Sequence, residues 1–228
     1  MFIGHYAIGF AAKKAAPRVS LGTLILASQF VDLLWPLFML AGLERVKVAP
    51  GITAMTPLDF THYPFTHSLF GVIVWAVVFG AVYYAFRREA FASLLLGGLV
   101  VSHWLLDFLT HRPDLQLFPW LETRVGLGLW DSVPATFIVE TLMFAAGVYI
   151  YTRATSIRNN TGRYAWWVMV VFLFTIYLTN LFGPPPPSPD AIGVSGLALW
   201  LFVAWGYWID RNRMSVPRSA DRAGASSA

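Results

Sequence analysis

The segment Ser102-His103-Trp104-Leu105-Leu106-Asp107-Phe108-Leu109-Thr110-His111 carries side chains that bind metals and move protons, at a regular spacing. His103, Asp107 and His111 follow one another at i, i+4, so on a helix they project as one polar stripe. Neutral imidazole and carboxylate are the natural ligands of zinc and similar divalent ions. The flanking residues are apolar, and an aspartate in the middle of a membrane-spanning helix costs about 2.5–3.5 kcal/mol on insertion scales. Groups of the same chemistry recur at His5, Asp32 (with Gln29), His67 and Glu140. All five histidines precede residue 112, and this segregation is the main clue to a site.

Each group also has a structural explanation. The stripe at 103–111 suits an interhelical hydrogen-bond network. Asp32 stands near Pro36 and suits backbone freed by a proline kink. Thr66 is a natural N-cap ahead of the span that His67 opens. His5 fits a solvated terminus, and His62, among Tyr63 and Pro64, fits an exposed loop. The Tyr83-Tyr84 and Trp166-Trp167 pairs read as interfacial belts, and Gly97-Gly98 as a point of close helix packing. What favours a site is the gathering of these costly groups at one depth.

The elements that would position them are transmembrane helices. Of 228 residues, 57% are hydrophobic and only 12% charged, with a mean hydropathy of +0.60. So few charges cannot cover a soluble domain, for which roughly 25% is usual. Without cysteine there are no disulfides and no thiolate ligands. The net charge of +4 sits in short loops and at the C-terminal end, with no basic stripe suited to nucleic acid. Six stretches approach the ~20 apolar residues that a spanning helix needs: 19–41, 67–86, 90–110, 131–152, 164–183 and 194–209. Residues 1–12 are too short to cross and read as a half-helix. Lys13 and Lys14 follow that apolar stretch, an order that predicts no cleavable leader.

The expected fold class is therefore all-α, a polytopic transmembrane bundle of about six spans plus an N-terminal half-helix. It forms a single domain over 1–211, with the polar site built from 1–140 and a disordered cytoplasmic tail at 212–228. Lys13, Lys14 and Arg18, then Arg87 and Arg88, then Arg153, Arg158 and Arg163, then Arg211, Arg213, Arg218 and Arg222 all fall on one side, against Arg45, Lys47, Arg112 and Arg124 in the loops of the other. The proline run 184–187 falls on the other, which places both termini in the cytoplasm. At a rise of about 1.5 Å per residue, Asp32 and His103 each lie about 20 Å into their spans from the inner face, and Asp107 about 25 Å. Glu140 lies about 14 Å from the outer end of its span, and His5 rises about 12 Å toward the same zone.

With His5, Gln29–Asp32, Tyr63-Pro64-Phe65-Thr66-His67-Ser68 and Ser102-His103…Asp107…Thr110 in view, the first 112 or so residues resemble a known family. It is that of small bacterial inner-membrane proteins described as membrane-bound metal-dependent hydrolases. Their pattern is an early His, an Asp in the first long helix, Thr-His-Ser opening the next, and a Ser-His-x-x-x-Asp helix. This chain departs from it with Val31-Asp32 in place of Pro-Asp, and without an Arg-Gly ahead of Thr66. A more distant similarity of ligand order links it to zinc-dependent phospholipases C and single-strand nucleases. That similarity implies Asp32, His67, His103 and Asp107 around one metal, with Asp107 bridging to a second near His5. His111 or Glu140 would complete the cluster or act as base.

The function these readings predict is a divalent-metal-dependent hydrolase, with zinc the expected cofactor, in the bacterial inner membrane. Its metal ligands would come from His5, Asp32, His67, His103, Asp107 and His111, with Asp107 and Glu140 as catalytic carboxylates and Glu140 taking the proton. The substrate would be a membrane lipid or a lipid-linked ester or phosphoester. The rival reading is a metal- or proton-coupled transporter that uses the same groups as a relay.

Overall fold

The structure, a computed structural model, describes residues 1–216. Helix α1 (Ile3–Ala15) is 13 residues long, about 20 Å, and cannot cross a ~30 Å hydrocarbon core. It is instead wrapped by the others, with Ile3, Tyr6 and Phe10 fully buried. Lys13 and Lys14 in its last turn match the negative end of the helix dipole. The half-helix expected from the sequence is therefore present, and it is packed at the centre of the bundle.

The first long apolar stretch is broken. Ser20 caps α2 (Leu21–Ser28), accepting a hydrogen bond from the backbone N–H of Thr23, and α3 (Phe30–Leu40) leaves it at 58°. The break falls at Gln29, ahead of the position where Pro36 had suggested a kink. Next come α4 (Leu69–Arg87) and α5 (Ala90–Thr110), a helical hairpin turned by Arg88 in the left-handed conformation. A Cβ at Gly97 would sit 3.1 Å from the Ala76 carbonyl oxygen, so this glycine sets the α4–α5 spacing; Gly98 faces open space.

Helices α6 (Val133–Ala154) and α7 (Asn160–Phe182) follow, then the prolines 184–187, α8 (Pro189–Gly196) and α9 (Leu199–Arg211). Among the described residues five helical stretches are long and apolar enough to span, the Pro189–Arg211 stretch counting as one, and six if α2–α3 is one bent span. All six stretches expected from the sequence are found, with ends shifted by a few residues.

Two buried clusters make the core. One packs α1 through Tyr6 and Phe10 against Phe144, Tyr151, Trp166 and Phe202 of α6, α7 and α9. The other joins α2 to the α4–α5 hairpin through Leu24, Val72, Leu96 and Val100. Helix α1 meets α6 at Gly147, where a Cβ would lie 2.5 Å from the Ala7 carbonyl oxygen. Lys13 of α1 pairs at 2.8 Å with Asp210 of α9, level with the arginine-rich loops.

Three short antiparallel ribbons, which apolar periodicity did not reveal, close the loops: β1 (Arg45–Val48) with β2 (Leu58–His62), β3 (Leu115–Gln116) with β4 (Arg124–Val125), and β5 (Thr155–Ile157) with β6 (Arg213–Ser215). The last takes residues 213–215 out of the expected tail. Residues 217–228 of that tail lie outside the described residues.

Candidate metal centre

Four stretches converge on Asp107. It lies on α5 and is 2% exposed, and its two oxygens face different partners. Oδ2 stands 3.2 Å from His103 Nε2 and 3.9 Å from His67 Nε2. Oδ1 stands 3.1 Å from His5 Nε2, 2.6 Å from the amino group of Met1 and 4.0 Å from His111 Nε2. Asp32, on the outgoing limb of the bent span, closes the first face: its Oδ1 is 3.3 Å from His67 Nε2 and 3.5 Å from His103 Nε2. Of the groups that depth placed together, His5, Asp32, His103 and Asp107 meet here, and His67 joins them; Glu140 lines the adjoining cavity.

The far nitrogens of the two central imidazoles are fixed from behind. His103 Nδ1 lies 2.8 Å from the Ser28 carbonyl oxygen beside the break in the first span, so the ring proton sits on Nδ1. His67 Nδ1 lies 2.7 Å from Thr66 Oγ1, which in turn donates to Glu44 Oε2 at 2.6 Å. Thr66 spends its proton on Glu44, so it accepts from His67. Glu44 also accepts the backbone N–H groups of Phe65 and Thr66, each at 2.8 Å. Thr66 is therefore not the N-cap of α4; Ser68 is, accepting from the backbone N–H of Gly71. Glu44 was not legible in the sequence: it is a loop acid, held at the site by the β1–β2 ribbon that follows it.

Both rings therefore turn Nε2 toward carboxylate oxygens. His103 Nε2 is buried without a hydrogen-bond partner, and so is His5 Nδ1 on the ring stacked 3.5 Å from His103. An imidazole nitrogen this close to a carboxylate needs a cation between them, a proton or a metal ion, and an unpaired buried nitrogen is costly. The donor spacings of 3.2–3.9 Å suit such a cation. Ligands 2.0–2.1 Å from a tetrahedral zinc ion lie about 3.3 Å apart. Two sets, His5–His103–Asp107 and Asp32–His67–His103, have donor atoms within 4.8 Å of one another and could hold a metal ion.

The remaining sequence candidates are placed differently. Glu140 is buried, and its Oε2 accepts the backbone N–H of Phe2 at 2.9 Å and of Gly4 at 3.4 Å. It thereby caps α1, whose N-terminus has no side-chain cap of its own. His111 belongs to neither donor set and lies 2.9 Å from Asp114 Oδ1 through its Nδ1. Tyr63 donates to the same Asp114 oxygen at 2.9 Å, and burial, with Asp114 beside it, pushes the phenol well above its ordinary pKa. His62 is exposed.

A cavity of about 410 Å³ reaches the cluster, with Asp32, His67, Asp107, His111 and Glu140 in its wall. It runs past Trp35, Phe60 and Trp130 to the loop 55–58 and the prolines 184–186. A larger cavity of about 520 Å³, at the other end of α1 among Lys13, Lys14 and Arg153, has no imidazole or carboxylate in its lining.

Fold and cluster together define a multi-pass helical membrane protein with buried His/Asp groups able to hold a metal. The chain belongs to the YdjM inner membrane protein family, whose family model matches residues 1–183. No curated protein and no solved structure matches it.

Proposed function

We propose that this protein is a divalent-metal-dependent hydrolase of a lipid or lipid-linked ester or phosphoester. The observation that carries the reading is the pair of imidazoles, His67 and His103, whose Nδ1 protons are committed and whose Nε2 atoms converge with Asp32 and Asp107. These four residues would hold the metal, zinc by its fit to two imidazoles and two carboxylates. His5, on the Oδ1 side of Asp107, adjoins them. When bound, such an ion polarises the scissile group and lowers the pKa of water toward about 7.

The chain's own residues supply the rest. Asp32, with a quarter of its side chain exposed, stands where the cavity meets the cluster. Trp35, Phe60 and Trp130 give an apolar wall along which an amphipathic substrate would lie, its ester at the carboxylates. Glu140, whose Oε2 is committed to backbone, holds the start of α1 and so the position of His5. The arginine-rich loops on the Lys13 side face the cytoplasm in this reading, and the cavity opens toward the outer face.

Elemental analysis of the detergent-purified protein tests this. The wild type retains a divalent metal, and the His103→Ala/Asp107→Ala double variant loses both the metal and lipid-ester hydrolysis. Metal retained by the double variant contradicts the assignment.

A further inference from the structure

A second imidazole, His111, faces the same cavity from outside the proposed ligand set, with an acid, Asp114, behind it. His111 Nδ1 lies 2.9 Å from Asp114 Oδ1, which also accepts the Tyr63 hydroxyl at 2.9 Å. The Arg112 guanidinium stands 3.3 Å from Asp114 Oδ2. A carboxylate so surrounded only accepts, so the His111 proton sits on Nδ1 and Nε2 carries the lone pair. The ring is wedged against Trp130 at 4.2 Å and Phe60 at 4.9 Å, centroid to centroid, and has no room to turn over.

His111 Nε2 points at Asp107 Oδ1 but stops 4.0 Å short, beyond hydrogen-bond reach. An oxygen placed about 2.8 Å from each would bridge them. The bridging position lies where His111 and Asp107 both line the cavity. Glu140, the acid there outside the proposed ligand set, has one oxygen committed to the N-terminus of α1.

We infer that His111 and Asp114 form a proton-transfer pair for the hydrolysis proposed above, with His111 accepting the proton of the attacking water and Asp114 positioning the ring. The inference rests on that reading. In the step, the water O–H bond breaks as its oxygen bonds to the phosphorus or carbonyl carbon, and the proton passes to His111 Nε2. The bond to the departing alkoxide breaks, and Nε2 returns the proton to that oxygen, leaving the ring neutral again. Asp114 keeps its charge throughout, holding the tautomer that leaves Nε2 free.

Diethyl pyrocarbonate acylates imidazole nitrogens that carry a free lone pair, and mass spectrometry reads each histidine separately. The full chain in detergent is treated with and without zinc ion, the exposed His62 serving as reference. The expected result is that the wild type binds zinc, that zinc leaves His111 acylation unchanged, and that His111→Gln keeps the wild-type zinc content. Asp114→Ala, at unchanged zinc content, slows His111 acylation severalfold through loss of the oriented tautomer, and Asp114→Asn, whose amide N–H can donate to Nδ1 and leave the ring proton on Nε2, slows it as well.

Zinc that blocks His111 acylation, or zinc lost from His111→Gln, makes His111 a ligand and overturns the pair while the metal reading stands. An acylation rate indifferent to Asp114 overturns it too. A wild type that binds no zinc overturns the metal reading and this inference together.

Discussion

At the scale of single residues, the site is a matter of where protons are parked. His103 gives its Nδ1 proton to a backbone carbonyl beside a helix break, and His67 gives its own to a threonine already tied to Glu44. Partners of this kind orient metal-binding histidines and raise their basicity. Glu44→Ala, which touches no proposed ligand directly, is expected to weaken zinc affinity about 10–100-fold. A competitive chelator titration measures this, and an unchanged affinity would remove Glu44 from the site. His103 and Asp107 were legible in the sequence because both sit on one helix at a spacing that fixes their shared face. Glu44, Asp114 and Tyr63 were not, because contacts across 22 and 51 residues of chain depend on ribbons and turns that carry no periodic signal.

At the scale of elements, a helix too short to span delivers His5 by burying itself among longer ones. Glu140 accepts N–H groups at its N-terminal end and the Lys13–Asp210 pair tethers its C-terminal end, so both ends are anchored to other helices. The close approach at Gly147 sets its distance from α6. Gly147→Leu is expected to destabilise the fold by about 1–3 kcal/mol, as overpacking of a tight contact does. It should also lower zinc affinity by displacing His5 and the start of α1. Thermal unfolding in detergent and a zinc titration on the same sample check both effects. A variant with wild-type stability would show that the contact yields freely. The spans themselves were readable from apolar run length. The break at Gln29 was not, because nothing in the local sequence forbids a continuous helix there; it is met by the buried His103 bond to the Ser28 carbonyl.

At the scale of the whole molecule, charge and cavity divide the protein into two ends. The basic loops and the β5–β6 ribbon occupy one end, and the cavity mouth with the prolines 184–186 lies away from them. The absence of native cysteine makes the proposed orientation directly testable. Pro186→Cys should react with an impermeant thiol reagent added outside intact cells, and Arg158→Cys only after the membrane is opened. The reverse pattern would turn the cavity toward the cytoplasm and change which leaflet supplies the substrate. The most direct measurement is X-ray absorption at the zinc edge of the zinc-loaded protein. Two imidazole nitrogens and carboxylate oxygens at about 2.0–2.2 Å are expected. A shell without imidazole would contradict a metal centre built on His67 and His103.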